Sequence, residues 1–258
     1  MESLKNYPIP PKELISGRKS ILSILLEMKA LKLVLLLLFI IKLTASYSQN
    51  DTPKFQFGVK ASPAISWLSP ETKFYKNDGT KLGFAWGFVT DFHLLNNYFI
   101  STGFSVNYVN GKLKFPSEVQ VESIVVKGTM LRDYRMRFLE FPFLFKMKTN
   151  SFGDYRFYGQ MGFITGFNIK SRSVDVFYPE TGPTINDELD IYDETTFARI
   201  NLAVGGGAEY KIDNSTSIFF GLMFHNGLTD VLSGKNPVDF RTEKAVPNAL
   251  EVTFGVMF

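Results

Sequence analysis

The last residues of the chain restrict its fold more than any other segment. Apolar side chains occupy every second position from Leu250 to Phe258, and they alternate with small or polar residues and with the charged Glu251. A soluble barrel would bury its apolar face and expose its charges. A strand that ends on an aromatic residue, with a bulky apolar face opposite a face that carries charge, is typical of an outer-membrane barrel strand whose apolar face contacts lipid.

The same alternation of period two recurs along the rest of the sequence, over the roughly 9–11 residues or more that a tilted membrane strand requires. Eight such segments lie at about 54–67, 81–95, 97–110, 133–148, 155–170, 197–212, 216–229 and the C-terminus. The sequence therefore predicts an all-β fold, an eight-stranded antiparallel transmembrane up-and-down β-barrel. A soluble lipocalin-like barrel is the alternative, and the apolar outward faces argue against it.

The predicted connections alternate in length. The short ones are 95–97, 149–154 and 213–215, and the long ones are 68–80, 111–132, 171–196 and 231–247. Outer-membrane barrels have short periplasmic turns and longer extracellular loops. Both termini of the mature chain are therefore predicted to lie in the periplasm, with four loops outside the cell.

The N-terminal region has the order of a secretory signal peptide. Lys29 and Lys32 precede an apolar run, and small residues follow it before a cleavage point ahead of Gln49. The run is too short to span a bilayer, and an uncleaved anchor helix is the alternative. We interpret 1–27 as an extension from an upstream start, 28–48 as the signal peptide and 49–258 as the barrel domain, which places the protein in the cell outer membrane.

Composition excludes several classes of function. The chain has 258 residues, 26 Phe and no Cys, which excludes disulfides and thiolate metal sites. The formal net charge is +3, but residues 1–48 hold seven Lys or Arg and three Asp or Glu, a net charge of +4, so the barrel domain carries 3 − 4 = −1. A nucleic-acid partner is not predicted, because the domain lacks the basic surface that such binding requires.

The faces opposite the apolar ones carry both acids and bases. Eight strands enclose an interior just wide enough to be filled by side chains, and charges there must pair or neutralise. We predict a paired, hydrogen-bonded interior, with a narrow polar conduit as the alternative. The inward charged set is Lys60, Glu140, Lys146, Arg156, Arg199, Glu209 and Glu251.

Two irregularities are expected in the strands. Pro63 and Pro142 each remove a ladder hydrogen bond, for which a bulge or a strand end is the expected accommodation. The alternation within 133–148 also changes phase near Phe138–Leu139, which predicts a β-bulge there.

No catalytic, cofactor-binding or metal-binding residue is predicted, and no cofactor is expected. The two histidines, His93 and His225, face inward on different strands, and no serine lies in a nucleophile-elbow pattern. Gly205, Gly206 and Gly207 lie inside a strand with no following helix, so they do not form a phosphate loop. We interpret these three glycines as residues of a crowded barrel interior.

Two of the long loops have distinctive compositions. Loop 171–196 is acidic, and a solvated loop is favoured over a divalent-cation or partner site, because the spacing matches no EF-hand. Loop 111–132 contains an apolar run that either extends a barrel hairpin beyond the membrane or forms an edge for a partner. The acidic residues are Asp175, Glu180, Asp187, Glu188, Asp190, Asp193 and Glu194.

Four short segments resemble a known family. Residues 138–146, FLEFPFLFK, resemble the "LEIPLLLK" segment of PorT-like outer-membrane barrel proteins of the Bacteroidetes type, and 205–211, GGGAEYK, resemble their "GGGVEYK" strand. Residues 57–60, FGVK, and 226–230, NGLTD, are similar to the opening "FGVK" strand and the late "GLTDI" turn. Pro63 departs from the family, which often has Gly there.

The resemblance implies an integral outer-membrane barrel. Most members have no assigned activity, and one is implicated in type IX secretion and gliding. We therefore expect a non-enzymatic, monomeric barrel with a structural, adhesive or secretion-associated role. Its expected partners are outer-membrane lipid and secretion-machinery proteins. The alternatives are a small passive pore and an outer-membrane lipid-modifying enzyme that would depend on His93 or His225.

Overall fold

A computed structural model describes residues 54–121, 124–181, 183–236 and 242–258. The interpretations of 1–27 and 28–48 lie outside the described residues. The strands are β1 (Phe55–Pro70), β2 (Lys76–Asn77), β3 (Lys81–Leu95), β4 (Tyr98–Val121), β5 (Ile124–Lys148), β6 (Tyr155–Pro179), β7 (Ile185–Asp190), β8 (Ala198–Lys211), β9 (Ser217–Gly227) and β10 (Ala245–Met257), with a 3₁₀ helix at Tyr192–Glu194. In these ranges, no helix is long and apolar enough to cross a membrane.

Eight of the strands close into a ring. Neighbours pair in the order β4-β3-β1-β10-β9-β8-β6-β5, and β5 pairs back with β4. Every pairing is antiparallel, with Lys60 opposite Gly255 between the first and last strands and Val106 opposite Leu139 where the ring closes. The short strands β2 and β7 add to β4 and β6 outside the ring. The predicted eight-stranded antiparallel barrel is confirmed.

Three strands are much longer than predicted. β4, β5 and β6 have 24, 25 and 25 residues, so the described part of predicted loop 111–132 is a hairpin that continues β4 and β5. The beginning of predicted loop 171–196 likewise continues β6, and β7 pairs with it. Of the two interpretations of 111–132, the structure therefore gives the extended hairpin. β3 has its predicted bounds.

The outer surface of the barrel is apolar and the interior is charged. In β10, Phe254 is 51% exposed whereas Glu251 is 2% exposed, the reverse of a soluble protein. On β5 the exposed fraction of Phe143 is 62%. Such a band of outward-facing apolar and aromatic side chains is what a lipid environment requires of a barrel.

The distribution of apolar side chains reverses at Phe138–Leu139 on β5, a level that we call the rim. On the side of the short turns, Phe141 faces outward and is exposed; beyond the rim, Met136 and Phe138 face inward and are buried, and Arg137 faces outward. The backbone of β5 stays in phase throughout. The surroundings change from lipid to water, so apolar side chains change from the outer face to the inner face.

The predicted bulge at Phe138–Leu139 is therefore misplaced. The irregularity lies in the neighbouring strand β6, where Arg137 is opposite Lys170 but Phe138 is opposite Asn168. Ile169 is the extra residue. The extra residue in β6 brings Lys170 and Arg172 to the outer face beyond the rim. The alternation of β5 continues unchanged past the same level.

Neither proline causes a bulge or a strand end, contrary to expectation. Around Pro63, β1 pairs with β10 at Ala61 and again at Ala64 in the same register. Around Pro142, β5 pairs with β4 at Glu140 and again at Phe143, also in one register. Each proline interrupts one ladder for two residues, and the ladder on its other side is continuous.

Candidate functional site

Near the short-turn end of the interior, two acids and two bases form a buried cluster that we call the quartet: Asp91, Lys146, Lys148 and Glu209. The Nζ of Lys146 lies 2.8 Å from Asp91 Oδ2 and 2.9 Å from Glu209 Oε1. The Nζ of Lys148 lies 3.2 Å from Asp91 Oδ2 and 3.0 Å from Glu209 Oε2. Each charge therefore has two opposite neighbours, which offsets the cost of its burial.

A second ionic group occupies the middle of the barrel and is centred on Glu251. The Nζ of Lys60 lies 3.2 Å from Glu251 Oε1, and Nε2 of His225 lies 3.1 Å from Glu251 Oε2. The hydroxyl of Thr253 donates to Oε1 at 2.9 Å. Strands β1, β9 and β10 thus contribute to one network.

Glu140 lies at the centre of a third group. The guanidinium of Arg199 donates to its Oε1, and the amide of Asn107 donates to its Oε2 at 3.0 Å. All three side chains are buried. Together with the quartet and the Glu251 network, this group fills the interior with paired side chains drawn from seven strands, so the predicted paired interior is confirmed.

Tyr158 separates the quartet from the wall formed by β8 and β9. Lys146 Nζ lies 4.3 Å from the centre of its ring, and its hydroxyl donates to the carbonyl of Phe220 at 3.3 Å. A Cβ on Gly207 would lie 2.7 Å from that hydroxyl, and a Cβ on Gly221 would meet it as well. The interpretation of the glycines as residues of a crowded interior is therefore confirmed for Gly207.

The histidines are far from the arrangement of a hydrolase. His93 lies beside a short turn, with Nε2 2.7 Å from the carbonyl of Asn96. His225 is buried, with its Nε2 beside one carboxylate oxygen of Glu251. The hydroxyl of Thr253 donates to the other oxygen, and the hydroxyl of Ser62 lies 3.1 Å from that of Thr253. A triad needs the imidazole between the nucleophile and the acid, whereas here the acid lies between the hydroxyls and the imidazole.

Apolar side chains close the opposite end of the interior. Val231 and Leu232, from the segment between β9 and β10, are buried against inward-facing residues of β4 and β5, and Ile191 joins them from the segment after β7. We call this the mouth cluster. Its buried members are Leu68, Tyr75, Val109, Leu113, Phe115, Tyr134, Met136, Phe138, Ile191, Val231, Leu232 and Ala245.

Arg132 holds the mouth together electrostatically. Its Nε and Nη2 donate to Asp175 at 2.9 and 2.7 Å, and its Nη1 donates to Glu194 at 2.7 Å. A fork that engages two carboxylates fixes their geometry. This arrangement connects β5, β6 and the segment before β8.

A second polar contact joins the segment before β10 to the segment after β1. The hydroxyl of Tyr75 donates to Oε1 of Glu243 at 2.5 Å, and both side chains are buried. Burial raises the pKa of the Glu243 carboxyl above its usual range, although the hydrogen bond from Tyr75 opposes this effect. Burial and the hydrogen bond to Glu243 raise the pKa of Tyr75 in turn.

The acidic residues of predicted loop 171–196 do not form one solvated loop, because Asp175 is buried. Asp175 and Glu194 meet on Arg132, and Glu188 lies 3.5 Å from Arg172. Within the described ranges, no three acidic or histidine side chains are placed to share a metal ion. Asp175 lies in β6 and Glu188 in β7, and these two strands cover more than half of the predicted loop.

Sequence reasoning missed several residues of the site. The roles of Asp91 and Lys148 in the quartet follow only from the register that brings β3, β5, β6 and β8 together. Tyr75, Arg132 and Glu243 lie in predicted loops and carry no periodic signal. Arg156, which was expected in the interior, lies at its edge and donates to Ser151 in a short turn.

The solved structures that are similar to this chain include a neisserial surface protein and two outer-membrane proteins. Neisserial surface protein A has 15% identity and a TM-score of 0.38, covering 78% of this chain and 95% of its own. OprG from Pseudomonas aeruginosa has 10% identity and a TM-score of 0.35, covering 79% and 95%. The outer-membrane protease OmpT from Escherichia coli has 9% identity and a TM-score of 0.33, covering 79% and 96%.

Sequence comparison identifies the family. No curated protein matches the chain. The pattern of the family described as "Outer membrane protein beta-barrel domain" matches residues 47–233, which is more than half of the chain. The match agrees with the closed ring, the apolar outer band and the charged interior, and the chain therefore belongs to the outer-membrane β-barrel domain family, which places it in the outer membrane.

Proposed function

We propose that this protein is a non-enzymatic, closed barrel that anchors the extended sheet of β4, β5 and β6 at the cell surface, where the sheet contacts a protein of a secretion apparatus. The proposal includes a signal peptide at 28–48, both mature termini in the periplasm and a monomeric barrel. The observation that carries it is the combination of a filled interior with strands that continue far beyond the apolar band.

The filled interior supports a structural role over a passive pore. A conducting barrel needs a continuous polar path, whereas here the mouth cluster closes one end and the quartet, with Tyr158, occupies the other. Ion pairs of this kind resist opening, because separating them leaves buried charges without partners.

The extended sheet supports a protein partner. Among the residues that the structure describes, β2 pairs with β4 at Leu113 and Lys114 alone, so the far end of β4 has β5 as its ladder partner on one side. Such an edge can accept an additional strand. On β5, Val125 is 58% exposed near the tip of the hairpin, which places an apolar contact at the end of the sheet.

The secretion role comes from the resemblance to PorT-like barrels. Two of the four segments that carry that resemblance, 138–146 and 205–211, lie in β5 and β8 and contribute Glu140, Lys146 and Glu209 to the interior. These residues support a shared barrel interior. The partner surface itself is supported by the geometry of the hairpin.

The role is tested by comparing the extracellular proteome of a clean deletion strain with its parent. Complementation uses the wild-type gene and a variant in which the hairpin is shortened by joining Ser117 to Gly128, residues that lie opposite each other, through a two-residue turn. We expect lost cargo to be restored by the wild type and not by the shortened variant. A matched control is the exposed ion-pair variant Lys127→Gln in the full-length hairpin. An unchanged secretome in the deletion strain would contradict the role.

The orientation is tested by labelling single cysteines in a chain that has none. Val125→Cys, near the hairpin tip, is expected to react with a membrane-impermeant maleimide on intact cells. Asn96→Cys, in a short turn, is expected to react only after the outer membrane is permeabilised. The reverse result would contradict periplasmic termini.

A catalytic role is tested through the histidine that the interior buries. His225→Ala and His93→Ala are expected to complement the deletion strain at wild-type level when the barrel is folded. Loss of function in a folded His225→Ala barrel would favour the alternative of a lipid-modifying enzyme.

A further inference from the structure

A basic cleft of about 330 Å³ opens on the outer surface of β5 and β6, immediately beyond the rim. Four of its residues are cations, and we call it the basic cleft. It is lined by Tyr108, Asn110, Arg135, Met136, Arg137, Lys170, Arg172 and Glu188.

The cations of the basic cleft face one another across two strands. Arg135 is opposite Arg172, and Arg137 is opposite Lys170. Like charges directly opposite in a sheet destabilise it. An anion held between the strands would remove that repulsion.

Acidic side chains neutralise the basic cleft only in part. Arg172 lies 3.5 Å from Glu188, and both side chains are at least half exposed, so that pair contributes little. Arg135 lies 3.9 Å from Asp133, but Asp133 is engaged more closely by Lys81 at 2.7 Å.

Arg137 is the best-positioned group for a ligand. Its guanidinium lies 4.6 Å from the centre of the Tyr108 ring. Its buried Nε has no hydrogen-bond partner among the described residues. A guanidinium held by an aromatic ring and with donors to spare is suited to a planar or tetrahedral oxyanion.

The basic cleft lies at the level of lipid headgroups. The strand from Met147 to Arg137 rises roughly 25 Å along the barrel axis at the usual rise per residue and tilt, which is about the height of the apolar band in such barrels. Directly below the cleft, Phe141 and Phe167 lie on the outer surface with their ring centres 6.1 Å apart. A ligand in the cleft can therefore combine an anionic head with acyl chains on these rings.

We propose that the basic cleft binds the phosphate groups of a phosphorylated glycolipid in the outer leaflet of the outer membrane, with the acyl chains packed on Phe141 and Phe167. Arginine forks match phosphate oxygens in geometry and charge, and basic pockets beside apolar membrane surfaces bind anionic headgroups. The choice of leaflet rests on the orientation in the proposed function, in which the long-loop end faces outside.

The test measures binding of fluorescent lipid A to the purified barrel in an uncharged detergent. The double variant Arg137→Gln/Arg172→Gln is expected to bind at least about tenfold more weakly than wild type, because it loses two charge-assisted contacts. The matched control is Lys76→Gln/Lys114→Gln, which also removes two positive charges, here from a pair of lysines that lie opposite each other and outside the cleft. Equal affinity of wild type and the Arg137/Arg172 variant would overturn the proposal.

Binding of further ligands distinguishes a phosphorylated glycolipid from other compounds that carry phosphate. Dephosphorylated lipid A is expected to bind weakly, and inorganic pyrophosphate is expected to compete only at far higher concentration, because it lacks acyl chains. Arg137→Lys, which keeps the charge and loses the fork, is expected to bind with intermediate affinity. Equal binding of phosphatidylglycerol would overturn the assignment to the outer-leaflet glycolipid. Binding in detergent is independent of any secretion partner, so this result and the secretome result can fail separately.

Discussion

The Nζ of Lys146 lies 2.8 Å from Oδ2 of Asp91 inside the barrel, with the two side chains 4% and 0% exposed. The same carboxylate oxygen is 3.2 Å from Lys148. Asp91→Asn would leave both lysines to Glu209 alone. Because breaking a buried pair leaves uncompensated charge, we expect a loss of about 3–5 kcal/mol in the free energy of unfolding, measured by urea titration in lipid vesicles.

Two further variants distinguish charge imbalance from a general packing defect. Asp91→Asn/Lys148→Gln restores the balance of the quartet and is expected to recover part of the lost stability, a coupling that a double-mutant cycle measures. Lys127→Gln removes a partner from the exposed pair with Glu118 and is expected to change stability by no more than about 1 kcal/mol. If Asp91→Asn left the free energy of unfolding unchanged, the role of the quartet would be contradicted.

The sequence predicts the eight-stranded ring correctly, but it contains too little information to predict the contacts of the mouth cluster. Within the apolar band, lipid outside and charge inside produce the alternation that predicts the strands. Beyond the rim the outside is water, so the inward Met136 and the outward Arg137 reverse the pattern. Applying the rule for lipid to the whole strand placed the bulge in β5, whereas it lies at the same level in β6. Tyr75 and Glu243 meet through chain segments without periodicity, and no local signal predicts such a contact.

Phe143 tests which face contacts lipid. It faces outward on β5 within the apolar band and is exposed, so Phe143→Arg is expected to cost about 2–4 kcal/mol if it lies near the midplane. Val106→Arg, on the outer face of β4, is expected to lower the free energy of unfolding by a similar amount. The measurement is the free energy of unfolding in vesicles.

The control for this prediction varies depth and not chemistry. Leu95→Arg introduces the same side chain at the short-turn end of β3, where the penalty is expected to fall to about 0–1 kcal/mol. Gln160→Arg escapes the lipid penalty because Gln160 belongs to the inner face, but it lies opposite Lys146 and would add repulsion there. Equal stability of the Phe143→Arg barrel and the wild type would contradict the assignment of the faces.

Because its interior is filled with side chains, we expect that the barrel does not conduct ions. The mouth cluster and the quartet each close one end of the interior. In planar bilayers we therefore expect no discrete conductance steps from the purified protein, under conditions in which a reconstituted porin gives them. Reproducible steps that are absent from protein-free detergent would instead support the passive pore.

The burial of Glu243 predicts that the mouth is held more firmly in mild acid. The folded state raises the pKa of Glu243, so it favours the protonated carboxyl. The resulting stabilisation is fully present below the ordinary pKa of about 4.5 and is lost as the pH rises through the higher value of the folded state. Hydrogen-exchange protection factors of Val231 and Leu232, which lie in the same segment, are expected to be larger near the acidic end of this range than at neutral pH.

Glu243→Gln tests this origin, because glutamine accepts the hydrogen bond from Tyr75 without a charge. We expect it to remove most of the pH dependence of protection at Val231 and Leu232 and to keep the mouth closed at neutral pH. Tyr75→Phe is expected to lower protection at every pH, since the buried carboxyl then loses its donor. Protection in the wild type that stays constant or increases from mild acid to neutral pH would contradict a closure that depends on the protonation of Glu243.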